Sequence, residues 1–364
     1  MKLPLNPALA NLAVYLPGRP IAEVARELNL DPASIIKLAS NENPLGPSPK
    51  ALEAMRHAIS STHLYPDGSA FYLKQKLADK LGVAPANLVL GNGSNEIIEF
   101  VGRALLASGD NIVVSQYCFA IYPIIARMMG ADVITVPARD YGHDLRVMTR
   151  AITPRTKIIF VANPNNPTGT RAPEADVVEL INNVPPHVLL VMDEAYIEFL
   201  EHPVDLLPLV RRGDFPNLIL MRTFSKIFGL AGLRLGYGIG HPDLVLALEK
   251  IRQPFNANSL AQAAALAALG DGEHIARTRH INTQGLEFYT LAFRQMGLEF
   301  VPSHANFILV RVGDGQRVFN ELQKLGVITR SMASYQLPEW VRISVGTAAE
   351  NTRCLTALRT VLGK

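Results

Sequence analysis

The sequence predicts an α/β protein, a mostly parallel sheet with flanking helices, followed by a smaller α+β domain. Three observations carry that prediction. Short apolar runs recur with helix-like stretches between them at Leu88–Leu90, Ile112–Ser115, Val133–Val136, Ile158–Ala162, Val188–Met192, Leu218–Met221 and Leu235–Ile239, the alternation that strand–helix–strand units impose on a chain. Several runs stop in small, polar or acidic residues, as at Gly91-Asn92-Gly93-Ser94 and Asp193-Glu194. In open α/β sheets that is where ligands bind. After about Gln253 the pattern changes to helical segments, Leu260–Leu269 and Ile275–Met296, and then to alternating stretches at Ala305–Val312 and Val341–Val345 around a helix near Gln316–Leu325.

Taken in order, the first 45 residues fit neither pattern and are expected to form an arm, 1–45, associated with the small domain. Residues 46–255 are expected to form the large domain and 256–364 the small one. A chain of 364 residues exceeds the ~250–300 at which single cores divide. Charged residues are 18% and hydrophobic ones 48%, a balance that favours a compact soluble globule. The formal charge of +3, with no Lys/Arg block, lacks the footprint of a nucleic-acid binder. Cys118 and Cys354 are the only cysteines and have no metal or disulfide spacing. A reducing cytoplasm is the expected compartment. The stretch Met1–Pro20 carries four prolines and no continuous apolar run, so neither a signal peptide nor a membrane span is expected there. The histidines are scattered, and no metal site is expected.

The segment Gly91 to Glu96 follows a strand run and leads into a helical pattern. Backbone N–H groups at such a helix start suit one phosphate, although a tight turn with an N-cap Ser or Asn explains the same residues. Glu96 stands where a dinucleotide fingerprint requires a third glycine or alanine. Gly236-Tyr237-Gly238-Ile239-Gly240 opens no helix and is assigned to close strand packing. Lys226 follows the run Leu218–Met221, with Thr223, Ser225 and Arg234 nearby. Desolvation and neighbouring cations lower a lysine's pKa and free its amine for Schiff-base chemistry, while the two hydroxyls and Arg234 can bind a phosphate beside it. Together they point to pyridoxal phosphate. Asp193 ends a very apolar run and needs a cationic partner; a protonated pyridine nitrogen is one, an N-cap or structural ion pair another. Tyr196 lies within reach of the same space. Asn163 to Gly169 is a turn by composition, and Asn166 gains interest only from its company.

With Lys226, Asp193, Asn166 and the glycine cup in this order, the chain resembles the fold-type-I aminotransferases over nearly its whole length. The specific segments are Asn163 to Gly169, Asp193 to Tyr196, and Ser225-Lys226 followed by Gly229 to Arg234. Within that family it is most similar to the histidinol-phosphate aminotransferases, through Tyr15 to Gly18, Leu38 to Gly46, Tyr65 to Gly68 and Arg342 to Thr347. The resemblance implies a seven-stranded mixed sheet in the large domain. It implies Lys226 as the catalytic lysine, Asp193 at the pyridine nitrogen, Tyr196 and Asn166 at the phenolic oxygen, and Tyr117 on the ring face. Ser94, Asn95, Thr223, Ser225 and Arg234 would surround the phosphate, joined by Tyr65 from the neighbouring subunit of a homodimer. Arg342 and Arg330, with Tyr15 beside them, would bind the anionic end of histidinol phosphate or of glutamate and 2-oxoglutarate. For Arg342, periodicity alone also allows a strand-surface arginine. The segment Ser115-Gln116-Tyr117-Cys118 departs from the proline-threonine start usual before the stacking aromatic. The stretch Arg330 to Pro338 resembles members that accept aromatic amino acids, so a broad aromatic aminotransferase is the alternative. A threonine-phosphate-type decarboxylase and a non-catalytic cofactor-binding sensor are further ones.

Overall fold

The structure is a computed structural model that describes residues 3, 7–9, 12, 14, 15 and 17–364. Seven strands form its main sheet: β1 (Leu88–Gly91), β2 (Asn111–Ser115), β3 (Asp132–Val136), β4 (Thr156–Ala162), β5 (Leu189–Asp193), β6 (Leu218–Thr223) and β7 (Gly236–Gly240). Their spatial order is β1-β7-β6-β5-β4-β2-β3. Only β7 runs antiparallel to its neighbours; the remaining pairings are parallel.

Parallel strands covered on both faces read as continuous apolar runs, and successive residues serve opposite cores. Ile158 and Phe160 enter one core with Val191 and Ile219. Ile159 and Val161 enter the other with Leu190 and Leu220. Edge strand β3 alone has exposed positions, Asp132 and Thr135. The three glycines of β7 serve the close packing that the sequence suggests: a Cβ on Gly236 would come within 2.2 Å of the Ser94 backbone nitrogen.

The smaller domain carries four strands: β8 (Phe300–Val301), β9 (Phe307–Arg311), β10 (Arg330–Ser331) and β11 (Trp340–Ser344), in the order β10-β11-β9-β8 and antiparallel throughout. Helices Gly272–Gln295, Gly315–Lys324 and Ala348–Leu362 cover it around Tyr289, Phe293, Val318 and Leu358. Thr347 and Glu350 form a reciprocal capping box at the start of the last helix. Part of the N-terminal arm joins this side: Ile36–Lys37 pairs in parallel with Val327–Ile328, and Val24, Ile35 and Ala39 bury against Ile328. Among the described residues no helix is long and apolar enough to cross a membrane.

Candidate active site

The carboxyl ends of β4, β5 and β6 open into a cavity of about 510 Å³ that the arm and the smaller domain close from above. Its first wall is the turn after β1. Gly93 adopts φ +79 before the helix Ser94–Leu105, and a Cβ there would approach Arg234 Nη2 to 2.5 Å. The positive φ favours glycine there. Ser94 and Asn95 line the cavity at the helix start, where the dipole favours an anion. Opposite, the Ser225 backbone N–H donates to Thr223 Oγ1 at 3.1 Å, and Arg234 reaches Ser225 Oγ at 3.5 Å. Two hydroxyls, a helix start and a guanidinium thus form one cup.

Lys226 lies just beyond this cup, half-buried, with Nζ donating to the Ser40 carbonyl at 3.1 Å. Burial, then Arg342, pushes its ammonium pKa down to about 8, while Glu42 pulls it the other way. Asp193, the last residue of β5, is buried and accepts from Tyr122 Oη at 2.6 Å and from the Ala195 N–H at 3.1 Å. Desolvation raises its carboxyl above the usual range, and the Tyr122 hydroxyl works against that rise. Tyr196 Oη accepts from Asn41 Nδ2 at 2.9 Å; burial pushes its hydroxyl to about 12.

Arg342, on β11, brings the smaller domain into the site. Its Nη1 donates to Asn166 Oδ1 at 2.5 Å and its Nη2 to the Ala39 carbonyl at 2.9 Å. Its buried Nε has no partner. Burying a guanidinium donor without an acceptor is costly, so this atom marks room for an anion. Arg330 pairs with Arg342 in the β10–β11 register and lies 6.0 Å from the Tyr15 ring. Four cationic side chains (Lys226, Arg234, Arg330 and Arg342) face two carboxylates (Glu42 and Asp193) around the cavity. The excess favours an anionic occupant.

Residues 33–358 match the family Aminotransferase class I and II. Histidinol-phosphate aminotransferase of Akkermansia muciniphila is 49% identical over 98% of each chain. Histidinol-phosphate aminotransferase 2 of Ralstonia nicotianae is 52% identical over 97% of this chain and 96% of its own. The chain belongs to the histidinol-phosphate aminotransferases. The crystal structure of histidinol-phosphate aminotransferase from Sinorhizobium meliloti, in complex with pyridoxal-5'-phosphate, superposes with a TM-score of 0.90 at 30% identity, over 100% of this chain and 98% of that one. The chain therefore has the fold-type-I architecture of this family.

Of the residues expected at an aminotransferase site, the cavity gathers Lys226, Ser94, Asn95, Asn166, Asp193, Tyr196, Thr223, Ser225, Arg234, Tyr15, Arg330 and Arg342. Tyr117 is not brought in. Its ring stacks on Tyr141 at 6.0 Å and packs against the cluster around Trp340. Phe119 lines the cavity instead, edge-on to Tyr122 at 5.6 Å. The sequence expectation placed the aromatic two residues early, because the missing proline-threonine pair removed the landmark. Tyr65 also lies outside this cavity, 83% exposed and stacked on Phe255 at 4.7 Å. Tyr122, Phe119, Ser40 and Asn41 escaped the sequence analysis. Asn41 and Ser40 sit inside the Leu38 to Gly46 segment that carried the resemblance, a usable signal; Tyr122 lies within an apolar helix and gave none.

Proposed function

We propose that this chain transfers an amino group between histidinol phosphate and 2-oxoglutarate, giving imidazole acetol phosphate and glutamate, and runs in reverse for histidine biosynthesis. The observation that carries it is the pair of anion-binding ends on either side of Lys226: the Ser94–Arg234 cup and the Arg342–Arg330 wall with its unpartnered Nε. The residues present fit pyridoxal phosphate. The cup would hold its phosphate, Asp193 its pyridine nitrogen, Tyr196 and Asn166 its phenolic oxygen, and Lys226 its carbonyl carbon.

When bound, that cofactor supplies a carbonyl that takes up amines and a ring that draws electrons from the adjacent C–H bond. Arg342 presents a planar fork that suits the substrate phosphate in one half-reaction and a carboxylate in the other. Lys226 Nζ takes the proton from the amine-bearing carbon, and its lowered pKa makes the neutral base available near neutral pH. Asp193 would remain beside the ring nitrogen throughout, held by its hydrogen bonds. Tyr15 and Tyr335 wall the outer end beside the arginines.

The proposal extends to a homodimer in the cytoplasm. The large apolar side chains Leu64, Tyr65, Phe71 and Tyr72 are exposed within one short segment, which suits a protein interface, and both cysteines are free and buried. The division into 1–45, 46–255 and 256–364 belongs to the same reading.

The test is a single half-reaction. Cofactor-loaded protein given histidinol phosphate and no acceptor should release imidazole acetol phosphate once per site and change its visible spectrum, with phenylalanine about tenfold or more less efficient. Equal conversion by phenylalanine would favour a broad aromatic enzyme. Carbon dioxide release from threonine phosphate without an acceptor would indicate a decarboxylase, and cofactor loading with no turnover of any of these amines a sensor.

A further inference from the structure

A buried tyrosine in the cavity wall has no role in the proposed reaction as described so far. Tyr122 lies in the helix Ile121–Met128, is fully buried, and directs its hydroxyl to Asp193 Oδ2 at 2.6 Å. Its ring lies flat on Phe160 of β4, centroids 4.5 Å apart and 5° from parallel, and edge-on to Phe119. Two aromatic contacts hold the ring on one side, and the bond to Asp193 ties down the hydroxyl end independently of the Phe160 stack. The Ala195 N–H occupies the other oxygen, Asp193 Oδ1.

We propose that Tyr122 is a positioning residue that keeps Asp193 ionised and aimed at the ring nitrogen of bound pyridoxal phosphate. The inference rests on the proposed pairing of Asp193 with that nitrogen. A carboxylate buried as deeply as Asp193 is driven toward its neutral form by desolvation. A neutral carboxyl could not hold a proton on the pyridine nitrogen by charge. Three groups oppose that drift: the Tyr122 hydroxyl, the Ala195 N–H and the charge of Lys226. Of these the two hydrogen bonds act directly on the carboxylate and act more strongly than the charge of Lys226, which would be committed to the cofactor. Tyr122 itself remains a donor across the usable pH range, because burial and the adjacent Asp193 hold its hydroxyl well above the ordinary tyrosine value. The other ionisable groups here do not substitute for it. Glu194 turns to Arg222, Tyr196 to Asn41, and the Cys118 thiol is pushed up to about 12 by burial.

The test compares Tyr122→Phe, which keeps the ring and both its aromatic contacts, with Phe160→Leu, which removes the stack and keeps the hydroxyl. Two quantities are read on reconstituted holoprotein: pyridoxal phosphate affinity, and the downfield proton resonance of the cofactor's ring nitrogen. Loss of one charge-assisted hydrogen bond should weaken affinity about tenfold in Y122F and shift or abolish that resonance. F160L should lower the melting temperature with the resonance in place. Unchanged affinity and resonance in Y122F overturn the proposal, as does an equal spectral shift in F160L. Should Y122F not fold, the tyrosine hydroxyl proton of the native protein must move when pyridoxal phosphate is added to the apoprotein; a signal that stays put counts against the inference. Asp193→Asn separates the two levels. If D193N protein binds the cofactor normally, the pairing of Asp193 with the ring nitrogen fails. If it does not, while Y122F does, only the role of Tyr122 fails.

Discussion

Lys226 illustrates how far a single side chain is made by its surroundings. Burial and Arg342 bring it to about 8, against ~10.4 for a free lysine. The neutral amine is the nucleophile, so its fraction grows as pH rises through that value. Capture of pyridoxal phosphate by the apoprotein should accelerate with pH and level off above about 8; a rate still climbing past pH 10 would mean an ordinary lysine. Lys226→Ala should fold normally, as its circular dichroism and melting curve would show, and lose at least about a thousandfold in kcat, in line with other nucleophile deletions. Arg342 differs, because in the proposed reaction it binds substrate while its bonds to Asn166 and Ala39 also tie the smaller domain to the site. Replacing it with Gln removes the fork and leaves Asn166 Oδ1 without its donor. The expected loss is about 2–5 kcal/mol of binding, read as a rise in KM for histidinol phosphate larger than the fall in kcat.

Between elements, the site depends on strand ends and helix starts being held in register. Gly236 of β7 passes so close to Ser94 that an added Cβ would meet backbone at 2.2 and 2.7 Å. Gly236→Ala should push the helix start away from the phosphate cup, costing about 1–3 kcal/mol of stability and a larger share of cofactor affinity than of melting temperature. Beneath the cup, Arg222 of β6 donates to Glu194 at 2.8 Å and ties it to the end of β5. Both side chains are nearly inaccessible. Arg222→Met would strand the Glu194 carboxylate and should cost about 3–5 kcal/mol in chemical denaturation at neutral pH. Burial already raises the Glu194 pKa, so the deficit should shrink as pH falls and the carboxyl takes up a proton.

For the whole molecule, the proposed dimer makes a sharp prediction about mixing. If Tyr65 of one subunit completes the other's phosphate site, a K226A subunit paired with a Y65A subunit contains one site with both substitutions and one with neither. Co-refolding the two impaired variants should restore activity in proportion to the mixed dimer, up to half the native specific activity. Failure to restore any would place Tyr65 outside the partner's site. Within the single chain Tyr65 is 83% exposed and stacked on Phe255, away from the cavity that chain forms, so the mixing experiment tests a contribution its own subunit does not make.

The sequence by itself determined the α/β class and the strand positions within a residue or two, and it singled out Lys226, Asp193 and Ser94, which line one cavity. These are local consequences of a buried parallel sheet, whose strands must be continuously apolar and whose polar residues must then collect at the strand ends. Tertiary structure alone decided which residues meet across distance. The bond from Arg342 to Asn166, the pairing of Ile36–Lys37 with Val327–Ile328, and the Tyr122 hydroxyl on Asp193 join segments far apart in the chain. No periodicity records such partners. The misplaced aromatic, Tyr117 for Phe119, has the same origin: both are aromatic residues in one connecting segment, and only packing against Tyr141 and Trp340 turns one ring away while the other faces the cavity.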